Sequence, residues 1–297
     1  MNRSVQARVA EALAEVLGSR YGRAAFRPSG AGCINETWEA YGPALEPVFL
    51  KIGAGDAATL YRQEEKGLQA LRHCDAIRVP GVLGLLEWED GAALALEFIE
   101  LHSPRPADDH RIGEALAQLH AVPGPRFGFD ADNFIGRTPQ INHWHDDWWT
   151  FWCECRLTPQ LRLARLKGMR VELQDKVERL IARVPEAFGA HQPRPSLLHG
   201  DLWSGNLAVD AEGMPVLFDP AVYFGDGETD IAMTRMFGAQ RAAVYDAYHA
   251  HIPLQPGAAI RRPLYDLYHW LNHFNLFGVT YLGQVENTVD DLLAANF

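Results

Sequence analysis

Residues 197–227 read LLHGDLWSGNLAVDAEGMPVLFDPAVYFGDG. The stretch sets Asp201, Asn206 and Asp219 close together in what reads as strand, loop, strand. Asp and Asn favour turns, so turn chemistry is one reading. The other is that two carboxylates and a carboxamide hold magnesium and a substrate hydroxyl around a nucleotide triphosphate. The surrounding sequence decides between them.

Asp201 and Asn206 are five apart. That is the spacing of the kinase catalytic loop, H-R-D-x-x-x-x-N, in which the Asp accepts the proton of the substrate hydroxyl and the Asn binds magnesium. Asp219 ends the apolar run VLF. It stands where the metal-binding Asp of Asp-Phe-Gly stands, although the triplet here is Asp219-Pro220-Ala221. A triphosphate needs its charge neutralised by Mg²⁺, and hard oxygen ligands of this kind hold Mg²⁺.

The upstream sequence supplies matching parts. SGAGCIN places Gly30 and Gly32 in a turn between two predicted strands, where backbone N–H groups can approach phosphate oxygens. Asn35 closes that loop. It is not a Walker A loop, because no Gly-Lys-Ser/Thr follows and a strand comes next. Lys51 sits in the strand PVFLKIG. A lone strand-end lysine usually points to water. Here a helix follows whose apolar stripe is Leu60, Leu68 and Leu71, with Glu64 on the same face and Glu65 off it. A carboxylate on a buried stripe needs a cation, and Lys51 is the candidate. A strand Lys paired with a helix Glu grips α- and β-phosphates in kinases. Each element alone is weak; glycine turn, Lys, Glu, Asp, Asn and Asp in this order are a strong combined signal for ATP and Mg²⁺.

The pattern predicts an α+β, two-lobed fold of the protein-kinase kind. Val5, Val9, Leu13 and Val16 mark a first helix ending near Gly18. AAFRPSGAGCINETWEAYG reads strand, turn, strand, and VLGLLEWEDGAALALEFIE reads as a hairpin turning at Asp90-Gly91. Residues 1–100 thus form a nucleotide-binding lobe, an antiparallel sheet carrying one main helix. The connector HSPRP leads into residues 101–297, a mainly helical catalytic and substrate lobe. Helices are expected in DDWWTFWCECRL, around Leu161–Leu166, over Val171–Val184 and from about Thr229 onwards, interrupted by one small β element at the opening stretch. A cleft between lobes is a natural ligand site. No Ala-Pro-Glu and no activation-loop segment follow Asp219, which argues against a kinase for Ser, Thr or Tyr side chains. The Trp-rich helical lobe suits a small polar acceptor held on aromatic faces, or is simply core.

Composition sets the limits. The 297 residues are 47% hydrophobic and 22% charged, ordinary for a globular protein with ample core. A net charge of -11 and the lack of any basic run exclude nucleic acid as the expected partner. No apolar run reaches the length of a membrane span. The N-terminal MNRSVQARVAEALAEVLG carries Arg8, Glu11 and Glu15 within its apolar pattern and reads as an amphipathic helix rather than a signal peptide. The expected compartment is the cytoplasm, where Cys33, Cys74, Cys153 and Cys155 stay reduced. Cys153-x-Cys155 lacks zinc spacing despite His143 and His145, and reads as two half-buried helix residues.

LLHGDLWSGN, FDPAVYFGD, FGFDADNFIGRTPQINHWHDDWWTFWCECRL, YHWLNHFNLFG and the loop GAGCIN together resemble the fructosamine kinase (ketosamine-3-kinase) family, from about residue 25 to residue 280. Aminoglycoside phosphotransferases and choline kinases share only the wider plan. The resemblance implies ATP-dependent phosphorylation of the 3-hydroxyl of a ketosamine, the sugar adduct of a glycated amine, which then falls off and leaves the amine repaired. It implies that Asp201 is the base, that Asn206 and Asp219 hold Mg²⁺, and that Lys51, held by Glu64, binds phosphates. Gly30, Gly32, Cys33 and Asn35 would form the nucleotide loop. Glu97 and Ile99 would meet adenine through backbone groups, and Trp203 and His273 would face the sugar.

The sequence departs from the family pattern at Ala31, where a third glycine is common, and at Leu276, where several relatives carry a polar residue. The second departure leaves the sugar open among ribulosamines, erythrulosamines and fructosamines, on a free amine or a protein lysine. Cys33 reads as a small turn residue or as a redox switch, in a monomer or in a dimer linked through this cysteine. Two further readings stay open: a kinase for an aminoglycoside or choline, which Glu286, Asp290 and Asp291 would suit, and a pseudokinase, against which the complete set of catalytic residues speaks.

Overall fold

The computed structural model describes residues 1–30 and 36–295. Helix α1 (Arg3–Leu17) starts at Asn2, whose Oδ1 accepts from the Val5 N–H at 3.0 Å, and stops at Gly18. Strands β1 (Ala25–Pro28), β2 (Glu36–Tyr41), β3 (Val48–Ala54), β4 (Val82–Trp88) and β5 (Gly91–Glu97) form one antiparallel sheet in the order β1-β2-β3-β5-β4. Helix α2 (Ala57–Leu71) connects β3 to the β4–β5 hairpin.

The sheet is covered on both faces. Ala93 and Ala95 pack with Val9 and Leu13 of α1, while Ala92, Leu94 and Leu96 pack with Leu68 and Leu71 of α2. Two-sided burial explains why β5 reads as a continuous apolar run and not as an alternation. Val16, placed in the first helix's stripe from sequence, lies at its edge and is 48% exposed. Its Cγ1 would stand 2.9 Å from a Cβ at Gly84, where β4 shifts register against β5.

The connector after β5 is pinned to the helical part. His102 and Val209 exchange N–H···O bonds at 2.9 and 3.0 Å. The Arg78 guanidinium donates to Glu97 at 2.7 Å and to Asp210 at 2.8 Å, so one side chain spans the hinge.

The helical part contains α3 (Asp109–Ala121), a hairpin of β6 (Asn133–Ile135) and β7 (Thr138–Gln140), α4 (Trp148–Phe151), α5 (Thr158–Leu166) and α6 (Val171–Phe188). Then come β8 (Ser196–Leu198), β9 (Leu207–Val209), β10 (Pro215–Leu217), β11 (Tyr223–Gly225), α7 (Gly227–Met233), α8 (Ala242–His251), α9 (Ala258–Phe277) and α10 (Leu282–Ala294). Among the described residues no helix is long and apolar enough to cross a membrane.

Three expectations change here. The single β element is two antiparallel pairs, β9–β10 and β8–β11, which place Asp201 and Asn206 between β8 and β9 and Asp219 between β10 and β11. The helix at DDWWTFWCECRL opens as α4, widens to a π-helical turn over Trp152–Leu157, and continues as α5. Its tryptophans are core: Trp148, Trp149 and Trp152 pack around Tyr265 with ring centroids 5.1–6.2 Å away. Cys153 and Cys155 are fully buried free thiols, and burial pushes the Cys153 thiol up to about 12. The β6–β7 hairpin has no counterpart in the sequence reading, since its strands are three residues long and one contains Pro139.

Candidate active site

A cleft of about 440 Å³ opens between the sheet and the helical part. Gly30, Lys51, Glu64, Glu97, Ile99, Asp201, Trp203, Asn206 and Asp219 all line it. Gly32, Cys33 and Asn35 lie outside the described residues, and with them the proposed cysteine switch or link. His273 stands on α9 and does not line the cleft.

Lys51 is set by the alternation of β3, which turns it to the α2 side, and is only 3% exposed. Its Nζ lies 2.5 Å from Glu64 Oε1 and 2.7 Å from Asp219 Oδ1. Burial pulls the ammonium pKa down, but the Asp219 and Glu64 carboxylates outweigh it and hold it above lysine's ordinary value. Lys51 therefore stays charged. At the hinge, Glu97 spends its main-chain N–H on the Gly81 carbonyl at 2.7 Å and its carboxylate on Arg78 and the Gly81 N–H.

The loop after β8 is shaped by Gly200 and held by a residue the sequence did not mark. Gly200 has φ +82°, and a Cβ there would lie 2.0 Å from the Ala221 carbonyl oxygen. No other residue fits. Asp230 on α7, fully buried, accepts the His199 N–H at 2.7 Å and the Gly200 N–H at 2.9 Å, and its Oδ2 is 3.2 Å from His120 Nε2. Burial alone would raise the Asp230 carboxyl; the hydrogen bond and charge of His120, with His199 and the backbone donor, hold it below the usual carboxylate range. Asp230 thus fixes the turn that carries Asp201. One Asp inside a short helix gave no sequence signal.

Asn206 Nδ2 donates to the Asp201 carbonyl at 2.8 Å and approaches Asp201 Oδ2 at 3.3 Å. The Asp201 carboxyl is pushed up to about 7 by burial and then by the Asp219 carboxylate, against the Asn206 hydrogen bond. Such a carboxyl is poised near neutrality for proton transfer.

Asp219 has φ +59°, in the left-handed region that Asp tolerates better than most residues. The chain around it is fixed on every side. Phe218 N–H donates to the Asn206 carbonyl, and Ala221 N–H to the His199 carbonyl. Gln140 Nε2 donates to the Ala221 carbonyl at 3.0 Å, and Asn133 Nδ2 to that of Val222 at 2.7 Å. Pro220 packs against α2 at Gly67, where a Cβ would stand 3.1 Å from Pro220 Cγ. The β6–β7 hairpin thus props the Asp219 segment, and its Phe134 and Gly136 also line the cleft. The hairpin is held in turn by Asn142 and the buried Arg156, whose Nη2 donates to Asn142 Oδ1 at 2.8 Å while its guanidinium lies 4.0 Å from the Tyr223 ring centroid.

The donor set fits a divalent cation. Asn206 turns its nitrogen towards Asp201, which leaves its amide oxygen for another partner. Asp219 uses Oδ1 on Lys51, which leaves Oδ2. Both are hard oxygen donors. Lys51 faces the carboxylates of Glu64 and Asp219, and Asp201 lines the same cleft, so the lining offers acidic groups to a cation.

This constellation, on this arrangement of sheet and helices, agrees with the comparisons. The profile of the fructosamine kinase family matches residues 5–295. The chain belongs to the fructosamine kinase family. A Synechocystis protein assigned as a ketoamine kinase is 38% identical over 286 residues, covering 96% of each chain. The chloroplastic protein-ribulosamine 3-kinase of Oryza sativa is 38% identical over 89% of this chain and 77% of its own. Among solved structures, a Thermobifida fusca protein assigned as a fructosamine-3-kinase superposes with a TM-score of 0.84 at 31% identity, over 97% of this chain and 99% of its own. An aminoglycoside phosphotransferase at 16% identity superposes with a TM-score of 0.64 over 95% of this chain, a likeness of fold alone. The fold is the protein-kinase-like one common to fructosamine kinases and these phosphotransferases.

Proposed function

We propose that the protein is an ATP-dependent kinase that phosphorylates the 3-hydroxyl of ketosamines, so that the phosphorylated adduct is shed and the amine is restored. The observation that carries this reading is the convergence of Lys51, Glu64, Asp201, Asn206 and Asp219 on one cleft in a fructosamine kinase family chain. Phosphoryl transfer needs positioning and charge neutralisation more than covalent chemistry, and these residues supply both.

Each has a role in this reading. Asp201 accepts the proton of the attacking hydroxyl as its oxygen bonds to the γ-phosphorus; the bond from that phosphorus to the bridging oxygen breaks, and ADP departs as the leaving group. Lys51 moves its ammonium from Asp219 towards the α- and β-phosphates while Glu64 retains it. Asn206 and Asp219 would hold Mg²⁺, which would offset the charge of the phosphates. Gly30 lies along the nucleotide side of the cleft, and Glu97 and Ile99 stand where the base would rest. Trp203 offers an aromatic face to the sugar, and His273, outside the cleft wall, is joined to it through Phe237. We place the protein in the cytoplasm, in keeping with free thiols at Cys74, Cys153 and Cys155.

ADP release with Mg-ATP tests the reading, offering ribulosyl-lysine and fructosyl-lysine beside choline and an aminoglycoside. Turnover with a ketosamine alone is the expected result. Silence with ketosamines and turnover with another alcohol would keep the fold and overturn the substrate.

A further inference from the structure

Trp203 and His273 are brought into one unit by a side chain that no motif marks, Phe237, in the segment between α7 and α8. The Phe237 ring stacks on the His273 imidazole, with centroids 4.6 Å apart and planes at 25°. The same ring meets the Trp203 indole edge-on at 6.3 Å and 80°. Its backbone is tied to the catalytic loop, because Ser204 Oγ donates to the Phe237 carbonyl at 2.5 Å. Gly205 also lies against the indole, where a Cβ would fall 2.2 Å from the Trp203 ring. Trp203 is therefore in contact with both Gly205 and Phe237, two residues after Asp201.

His273 is oriented by the same contact. Its Nδ1 lies 2.8 Å from the His269 carbonyl, so Nδ1 carries the hydrogen and Nε2 keeps its lone pair. Burial lowers its pKa, which keeps the ring neutral at physiological pH. A neutral imidazole with one nitrogen engaged is an acceptor for an O–H or N–H group. Its plane is set by the stack with Phe237 together with the rings of Tyr281 at 5.0 Å and Phe277 at 5.6 Å.

We propose that Phe237 is a positioning residue of the acceptor site: stacked on His273 and edge-on to Trp203, it holds the Trp203 face that lines the cleft in one orientation, to receive the polyhydroxyl chain of the ketosamine. The inference rests on the proposed ketosamine kinase reading. It assigns Phe237 no contact with ATP, and the Lys51–Asp219 side of the cleft lies outside its reach.

The test is steady-state kinetics of Phe237→Ala, Phe237→Leu and Phe237→Tyr with a ketosamine and with Mg-ATP varied in turn, on proteins whose melting temperatures are matched. Phe237→Ala and Phe237→Leu should raise the acceptor KM about tenfold, the size of one aromatic contact, and leave the ATP KM within about twofold. Phe237→Tyr, which keeps the ring, should restore the acceptor KM. Parallel increases in both KM values, an unchanged acceptor KM, or rescue by leucine as complete as by tyrosine would overturn the role. If Phe237→Ala does not fold, the Leu and Tyr pair decides alone. A parent protein that is inert towards every ketosamine would overturn the substrate reading and this inference with it, whereas an active parent with indifferent Phe237 variants overturns only the inference.

Discussion

Lys51 and Asp219 meet at 2.7 Å across the cleft, one from the sheet and one from the loop after β10, while Lys51 keeps its 2.5 Å bond to Glu64. The contact joins the phosphate-binding and metal-binding halves of the proposed machinery before any ligand arrives. Lys51→Met removes the ammonium and leaves Glu64 without its cation. It should lower kcat/KM for ATP by about 10²–10³-fold, in the range seen when one preorganised charge donor is lost. Coupled ADP-release kinetics check the loss, and circular dichroism checks that the fold remains.

Asp201→Asn keeps the size of the side chain and removes the proton acceptor. The kcat should fall by about 10²–10⁴-fold, the span of general-base contributions. Nucleotide affinity, measured by calorimetry with a non-hydrolysable ATP analogue, should stay within about threefold, corresponding to less than about 1 kcal/mol. Turnover that survives this substitution would remove Asp201 from the role of base.

Asp230→Ala leaves the His199 and Gly200 N–H groups buried without an acceptor. Stability should drop by roughly 2–5 kcal/mol, since unmade buried hydrogen bonds carry the full desolvation cost. Urea unfolding reads this directly. The kcat should fall at a temperature where the variant is still folded, because the turn that carries Asp201 loses its anchor.

Asp266 on α9 gives a pH test of the fold away from the chemistry. Its Oδ1 is buried without a partner, and Arg262 Nε is 3.8 Å from Oδ2. Burial pushes its carboxyl up to about 7, against the attraction of Arg262 and Arg235. A raised carboxyl pKa means the folded chain keeps a proton that the unfolded chain has lost between about pH 4 and 7. Stability from this group is therefore present at low pH and is lost as pH rises through that window. Asp266→Asn removes the dependence, so its melting temperature should exceed the parent's by on the order of a few degrees at pH 8 and match it near pH 4.5.

The sequence was most legible where chemistry and periodicity coincide. The spacing of Asp201 and Asn206, the strand end at Asp219, and Glu64 on an apolar helix face each carried enough local constraint to be placed without coordinates. The structure brings all of them to one cleft. The α1 helix, the five sheet strands and α2 were legible for the same reason, because each is long enough to show its period. The β6–β7 hairpin was not, since three-residue strands have no period to read and are held by side chains from elsewhere, Asn142 and Arg156 among them. Asp230 and Phe237 were missed on another ground. Each acts through residues distant in the chain, His120 and His273, and neither stands in a local pattern. The tryptophans at Trp148, Trp149 and Trp152 were left open between a binding face and core, and they are core, because aromatic richness marks either one.

The tethering of the Asp219 segment bears on inhibition. Pro220 is seated on Gly67, and the carbonyls of Ala221 and Val222 are taken by Gln140 and Asn133, so displacing the backbone that carries Asp219 would break these contacts. Inhibitors built to trap a swung-out Asp-Phe-Gly would meet a closed wall here. Among the described residues this seating favours small molecules that accept the segment as it stands over ones that need it displaced.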